Sequence, residues 1–298
     1  MSIEGQSAIR SAMVQNARTA ATPPEIALIA GKGVYPRLLA ESARMQGVSR
    51  IFALAFRGET DRVIEKCVDR VEWVHLGQVG AMIEALRHSG MRHVVMAGQV
   101  TPTSLFRVRI DAKARDILRR LPVRNAETIF GAVAEELAAI GIELLPASSF
   151  MEAHMPQAGI LSSRAPSAGE QHDIEIGFRA AKLTSSLDIG QTVVVKEGTI
   201  LAVEAFEGTD ETMKRAGKLG GAGAVVVKVA KPGHDMRFDI PVIGRHTIKV
   251  LRSIRAAALA LEAGRAILLE RELIIAEANR MGLCLSVVAG DPDSLPGE

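Results

Sequence analysis

Short apolar runs alternate with amphipathic stretches along most of the chain, and this alternation predicts strands followed by helices. Ile26–Ala30 is an apolar run that Gly31-Lys32-Gly33 breaks. Tyr35–Gln46 then carries Leu38, Leu39, Ala43 and Met45 at helical spacing. Arg50–Ala55 reads as a strand, Val79–Ser89 as a helix and Arg92–Ala97 as a strand. Asn125–Ile140 reads as a long amphipathic helix and Ile142–Leu145 as a last strand. Strands and helices in this order imply a parallel sheet covered by helices.

The pattern lapses over 155–169, where Pro, Gly, Ser and Ala dominate and a linker is expected. A second α/β unit follows. It opens with a helix over Glu170–Leu187, then Thr192–Lys196 and Thr199–Glu204, two runs separated by the turn signal Glu197-Gly198. Thr209–Leu219 reads as a helix and Ala224–Val229 as a buried strand, and the runs His246–Ala263, Arg271–Gly282 and Cys284–Ala289 complete the unit. The expected division is a tail over 1–23, a Rossmann-like domain over 24–154, a linker over 155–169 and a catalytic α/β domain over 170–298.

The 298 residues exceed a usual single core, which agrees with two domains. Lys and Arg total 36 against 34 Asp and Glu, so bulk charge makes no case for nucleic-acid binding. Aromatics at 3% leave few stacking platforms for single strands. Cys67 and Cys284 belong to no CxxC pair, so neither a zinc nor a disulfide framework is expected, and free thiols fit a reducing compartment. Met1–Pro24 has no apolar stretch of the secretory kind. The longest apolar candidate for a membrane span, Ala256–Ala278, is interrupted by Glu262, Arg265, Glu270, Arg271 and Glu272. A cytoplasmic protein is expected, with contact to a membrane surface left open.

Four segments are candidates for chemistry. Gly31-Lys-Gly-Val-Tyr-Pro36 follows a strand and opens a helix, where backbone N–H groups suit a phosphate; an ordinary βα turn is the alternative. Pro36 stands where a dinucleotide fingerprint needs its third glycine, and Arg57 follows the strand whose tip would need a ribose-binding carboxylate. Both argue against an NAD-dependent oxidoreductase. Glu204-Ala-Phe-Glu-Gly-Thr-Asp210 places three carboxylates between a strand and a helix, with Thr209 as an N-cap. Hard oxygens of this kind hold Mg²⁺, although a helix dipole also favours acids there. Lys228–Pro241 collects Lys228, Lys231, Arg237, Asp235 and Asp239 in one loop, the mixture that a diphosphate and its metal need; a solvated charged turn is the alternative. Leu187-Asp-Ile-Gly-Gln191 is a glycine turn, read evenly as structural or functional. Leu105–Arg124 is basic and amphipathic, which fits a solvated helix face better than an anionic membrane.

Taken together, these segments resemble the LpxI-type UDP-2,3-diacylglucosamine diphosphatases. The likeness is carried by Asp188-Ile-Gly-Gln191, Leu201–Asp210, Lys228…Lys231-Pro232 and Arg237-Phe-Asp-Ile-Pro241…Gly244, and more loosely by Gly31–Pro36 and Ala97-Gly-Gln-Val100. It implies hydrolysis of UDP-2,3-diacylglucosamine to UMP and 2,3-diacylglucosamine 1-phosphate, with Mg²⁺ or another divalent cation such as Mn²⁺. It also implies work at the inner face of the cytoplasmic membrane and substrate between the two domains. The family's essential aspartate matches Asp239. Asp235, Glu207 and Asp210 are expected to complete the acidic set, with Asp239 and Asp210 on the metal. Lys228, Lys231, Arg237, Thr209, Gln191, Gly31 and Gly33 are expected to bind substrate. His234 and Asn125 depart from the family's pattern. A non-catalytic nucleotide-sugar or lipid binder of the same fold is the alternative, and a homodimer is left open.

Overall fold

A computed structural model describes residues 22–100, 110–123, 126–233, 236–237 and 240–290. The fold is α/β throughout. The N-terminal half carries strands β1 (Glu25–Ala30), β2 (Arg50–Phe56), β3 (Arg70–Val74), β4 (His93–Ala97) and β5 (Glu143–Leu144). They form one parallel sheet in the order β3-β2-β1-β4-β5. Helices α1 (Tyr35–Met45), α2 (Val79–Ser89), α3 (Ala112–Arg120) and α4 (Ala126–Ala139) accompany it. The apolar run of β1 is buried on both faces, as a central parallel strand must be. Ile26 and Leu28 pack with Leu39 of α1, while Ala27 and Ile29 pack with Leu86 of α2 and Leu137 of α4.

The C-terminal half has a six-stranded mixed sheet. Its elements are β6 (Gly159–Ile160), α5 (Ala168–Ser186), β7 (Thr192–Lys196), β8 (Thr199–Val203), α6 (Thr209–Gly220) and β9 (Val225–Lys228). They continue with β10 (Val242–Ile243), α7 (Arg245–Ser253), β11 (Ala258–Glu262), β12 (Ile267–Leu268), α8 (Arg271–Met281) and β13 (Cys284–Val288). The order is β6-β13-β11-β9-β7-β8, with β9, β11 and β13 parallel and β6, β7 and β8 in antiparallel pairings. Helix α5 packs on one face so closely that a Cβ on its Gly177 would meet the Val227 side chain at 2.6 Å. Its start is fixed by a capping box between Ser167 and Glu170.

The structure adds detail at three points. The segment over 155–169 is not a plain linker: β6 adds an antiparallel edge to β13, and Ser162 Oγ accepts the Leu285 N–H at 2.8 Å. Small residues permit that close approach while giving the composition of a loop. The run His246–Ala263 divides into α7 and β11, because the chain turns at Ile254–Ala257. Strand β3 was not foreseen; Arg70 and Glu72 alternate with Val71 and Trp73, the polar pattern of a sheet edge. Of the basic segment, the described part is α3, and it is a surface helix. Lys113 and Arg120 both pair with Glu136 of α4, and these bonds hold that carboxyl below its ordinary range.

The two halves share a seam. Strands β10 and β12 pair with each other apart from either large sheet. Ile240, Ile267 and Leu269 from this region close the N-terminal core beside Ile26, Leu39 and Met151. The Ala147 N–H donates to Met236 O at 2.7 Å, and the buried Tyr35 hydroxyl donates to Ala147 O. Burial pushes the Tyr35 phenol well above its ordinary value.

At the C-terminal ends of β1 and β4 the two loops lie against each other. Gly31 N–H donates to Ala97 O at 2.7 Å, and Lys32 and Gln99 exchange both backbone hydrogen bonds. A Cβ at Gly31 would meet Gly98 and Gln99 backbone atoms at 2.8 Å. Gly31→Ala is therefore expected to cost about 1–3 kcal/mol, read as a lower midpoint in denaturant. Gly131 in α4 has nothing within 4 Å of its missing Cβ. Gly131→Ala should instead be neutral or stabilise by up to about 1 kcal/mol. Equal midpoints for the two variants would contradict the crossing-loop contact.

Candidate functional site

In the C-terminal sheet, β9 runs antiparallel to β7, so the end of β9 lies beside the start of β7 and the end of β8. A cleft of about 420 Å³ opens at this edge. Its walls are the α5–β7 turn (Asp188 to Gln191), Glu204 and Ala205 after β8, Lys228 and Lys231 at the end of β9, and Ile240–Val242. A smaller groove of about 210 Å³ lies between α7 and α8, and none of the expected site residues lines it.

Of the residues expected to bind substrate, Lys228, Lys231 and Gln191 line the cleft, and Thr209 stands behind Lys228. Lys228 Nζ donates to Thr209 Oγ1 at 2.7 Å, and Thr209 Oγ1 donates to Glu204 Oε1 at 2.8 Å. Thr209 was expected as the N-cap of α6, but Gly208 at φ 82° takes that position. A glycine reaches this backbone conformation without strain, which leaves the Thr209 hydroxyl to link the lysine to the carboxylate. Among the described residues, Glu204 Oε2 is buried without a hydrogen-bond partner. A donor from a bound water or ligand would satisfy it.

Lys231 bridges the halves. Its ammonium lies 2.8 Å from Glu127 Oε2 on α4 and 3.3 Å from Asp188 Oδ1. The Glu127 hydrogen bond raises its pKa, burial opposes, and Asp188 adds to the rise. Asp188 occupies a left-handed backbone position, φ 59°. Gly190 is required beside it, because a Cβ there would lie 2.2 Å from Glu204 O. The turn needs Gly190 for its close approach to Glu204 and places Asp188 in the cleft lining. Gln191 lines the cleft, and its carbonyl accepts the Val229 N–H at 3.0 Å.

Other expected residues lie elsewhere. Glu207 faces its own helix, accepting from Arg215 at 2.6 Å and Thr212 at 3.2 Å, and does not line the cleft. The Arg215 hydrogen bond, then the local backbone and Thr212, hold its carboxyl below the usual range. Asp210 Oδ2 is 2.8 Å from His246 Nε2 of α7, again outside the cleft lining. Gly31 has its N–H committed to Ala97, so it offers no free donor to a phosphate, while Gly33 is exposed at φ 94°. Arg237 is half-buried beside Met236, whose carbonyl holds the N-terminal half. Asp235, Asp239, His234 and Asn125 lie outside the described residues.

Among the described residues, the carboxylates that reach the cleft are Glu204 and Asp188, not Glu207 and Asp210. Their signal was positional: Glu204 directly follows a strand, whereas Glu207 sits inside the next turn, where a helix start uses it. Among the described residues no group of three or more His, Cys, Asp or Glu could hold a metal. Those residues do not by themselves make an Mg²⁺ site. What they bring together is two lysine ammoniums beside the carboxylates of Glu204 and Asp188.

The chain matches the LpxI N-terminal domain family over residues 25–154 and the LpxI C-terminal domain family over residues 157–286. It is 32% identical over 284 residues to the UDP-2,3-diacylglucosamine pyrophosphatase LpxI of Caulobacter vibrioides, covering 91% of this chain and 99% of that protein. Among solved structures, CobK precorrin-6A reductase aligns with 92% of this chain and 89% of its own, at 13% identity and a TM-score of 0.32. Glycinamide-RNase-transformylase T from Mycobacterium tuberculosis aligns with 61% of this chain and 44% of its own, at 13% identity and a TM-score of 0.23. Likeness at that level carries no argument about this chain.

The Lys231 bridge makes a pH-dependent contribution. A lysine whose pKa is raised on folding contributes stability that is complete below its ordinary value of 10.5 and is lost as pH rises through the raised one. Both partners are partly exposed, so the bridge is worth no more than about 1 kcal/mol. Glu127→Gln should lower the melting temperature by a few degrees at most. The difference should hold from neutral pH to about 9 and close above the lysine range. A melting-temperature loss that stays the same above the lysine range would contradict this origin.

Proposed function

Because the chain belongs to the LpxI family in both of its halves, we propose that it hydrolyses the diphosphate of UDP-2,3-diacylglucosamine, yielding UMP and 2,3-diacylglucosamine 1-phosphate in lipid A synthesis. The observation that carries the reading is the cleft at the end of β9, where Lys228 and Lys231 meet with carboxylates from two neighbouring loops. A diphosphate bridging two groups needs such cations to neutralise its oxygens as charge builds on the leaving phosphate.

In this reading Lys228 holds a diphosphate oxygen. Thr209 and Glu204 fix its ammonium, so little reorganisation accompanies binding. Lys231 exchanges one of its carboxylate partners for a second phosphate oxygen. Arg237 adds a further cation from the seam. Asp239, by its place in the family motif, positions the attacking water. The Mg²⁺ or Mn²⁺ dependence implied by the resemblance belongs to the same proposal, with Asp239 as the carboxylate that would hold the ion. That ion would neutralise phosphate charge and activate water.

The two acyl chains of this substrate belong in a bilayer, so the protein would collect it at the inner face of the cytoplasmic membrane. No helix among the described residues is long and apolar enough to cross a membrane, which agrees with a peripheral encounter.

Purified protein with UDP-2,3-diacylglucosamine and Mg²⁺ should release UMP, and a chelator should stop it. Asp239→Ala should abolish turnover in a folded protein. Lys228→Met should lower kcat/KM by about 10- to 100-fold, the loss of a charge-assisted hydrogen bond. Substrate binding without UMP release would favour a non-catalytic binder. Full activity in Asp239→Ala would remove that residue from the mechanism.

A further inference from the structure

Lys182 and Glu262 form an ion pair deep in the C-terminal half, and no motif of the cleft includes either. Lys182 is 5% exposed and Glu262 is 1% exposed. The ammonium lies 2.9 and 3.1 Å from the two Glu262 oxygens and also donates to Ala230 O at 3.0 Å. Glu262 Oε2 in turn accepts the Ala230 N–H at 2.9 Å. Both backbone groups of one residue are therefore held by one buried pair.

The location explains why a charged pair is needed. Strands β9 and β11 are paired as far as Lys228 and Leu261, and beyond that register the chains diverge. Ala230 is fully buried just past the ladder. Its N–H and C=O have no strand partner, and leaving each unmet would cost about 1–3 kcal/mol. A buried ion pair is not a favourable way to gain stability, since desolvation offsets most of the attraction. What this pair supplies is direction: it fixes the peptide preceding Lys231, whose ammonium stands in the cleft between Glu127 and Asp188.

We propose that Lys182 and Glu262 are positioning residues that hold the Ala230 peptide and thereby set Lys231 in the cleft. The inference rests on the reading of Lys231 as a diphosphate ligand. Lys182 and Glu262 touch no reacting atom; they act through the loop. Three donor bonds converge on the two Glu262 oxygens, and a glutamine would offer only one oxygen. Glu262→Gln therefore removes the charge and turns an NH2 toward the ammonium or the Ala230 N–H, which loosens the clamp with little change of volume. Gly290→Ala perturbs the same clamp with every charge retained, because its Cβ would lie 2.6 Å from Glu262 Oε1.

The test is a double-mutant cycle of Glu262→Gln with Lys231→Ala on the hydrolysis of UDP-2,3-diacylglucosamine. Each single variant is expected to raise KM about tenfold with kcat within about threefold, and the double variant to be little worse than either, because both remove the same contact. Gly290→Ala should reproduce the KM effect if Glu262→Gln proves too unstable to assay. Multiplicative KM effects, or a wild-type KM in both clamp variants, would overturn the proposal. A second readout does not depend on the reaction. Hydrogen exchange at the Ala230 amide should quicken in Glu262→Gln while the Val226 and Val227 amides stay protected; an unchanged Ala230 amide overturns the clamp. If the wild-type protein releases no UMP, the proposed function fails and the exchange result still decides the clamp.

Discussion

The seam between the halves is the constraint on which the rest depends. The N-terminal sheet has one face whose core is completed by residues from far along the chain, Ile240, Ile267 and Leu269. Burying such side chains favours the joined state by roughly 1.5–3 kcal/mol each, and the backbone bond from Ala147 to Met236 fixes its register. The same seam holds α4 within reach of the end of β9. Without it, Glu127 and Lys231, 104 residues apart, would have no reason to meet.

Charge at the cleft is managed in two ways. Lys228 is held by a neutral hydroxyl that is itself anchored to Glu204, so the lysine keeps donors for a ligand. Lys231 is held by two carboxylates, one from each half. Under the proposed function, Lys228 would orient the diphosphate and Lys231 would meet its second phosphate.

Acidic residues near a phosphate site do not all serve it. Glu207 and Asp210 belong to the same short segment as Glu204, yet only Glu204 lines the cleft. Glu207 steadies the first turn of α6 through Thr212 and Arg215, and Asp210 reaches across to α7. Helix starts attract carboxylates for their own electrostatic reasons, and composition cannot separate those acids from ligands. Gly31 teaches the same lesson in the other half: its glycine is explained by backbone packing against Gly98 rather than by an anion.

The sequence alone determined the elements and the class of fold, because apolar periodicity is a local property and a buried parallel strand must be apolar along its length. It also carried the family likeness and the lysines of the β9 loop, since Lys228 and Lys231 follow directly from an apolar run. Edge strands β3 and β6 were hidden, because a strand covered on one side only needs no continuous apolar signal. The tertiary structure alone decided which carboxylates face the lysines, that Glu127 meets Lys231, and that Lys182 and Glu262 hold the Ala230 peptide. Those partners lie 104, 80 and 32 residues apart. Such pairings arise where strand ends and domain faces converge, and periodicity within a short window carries no record of them.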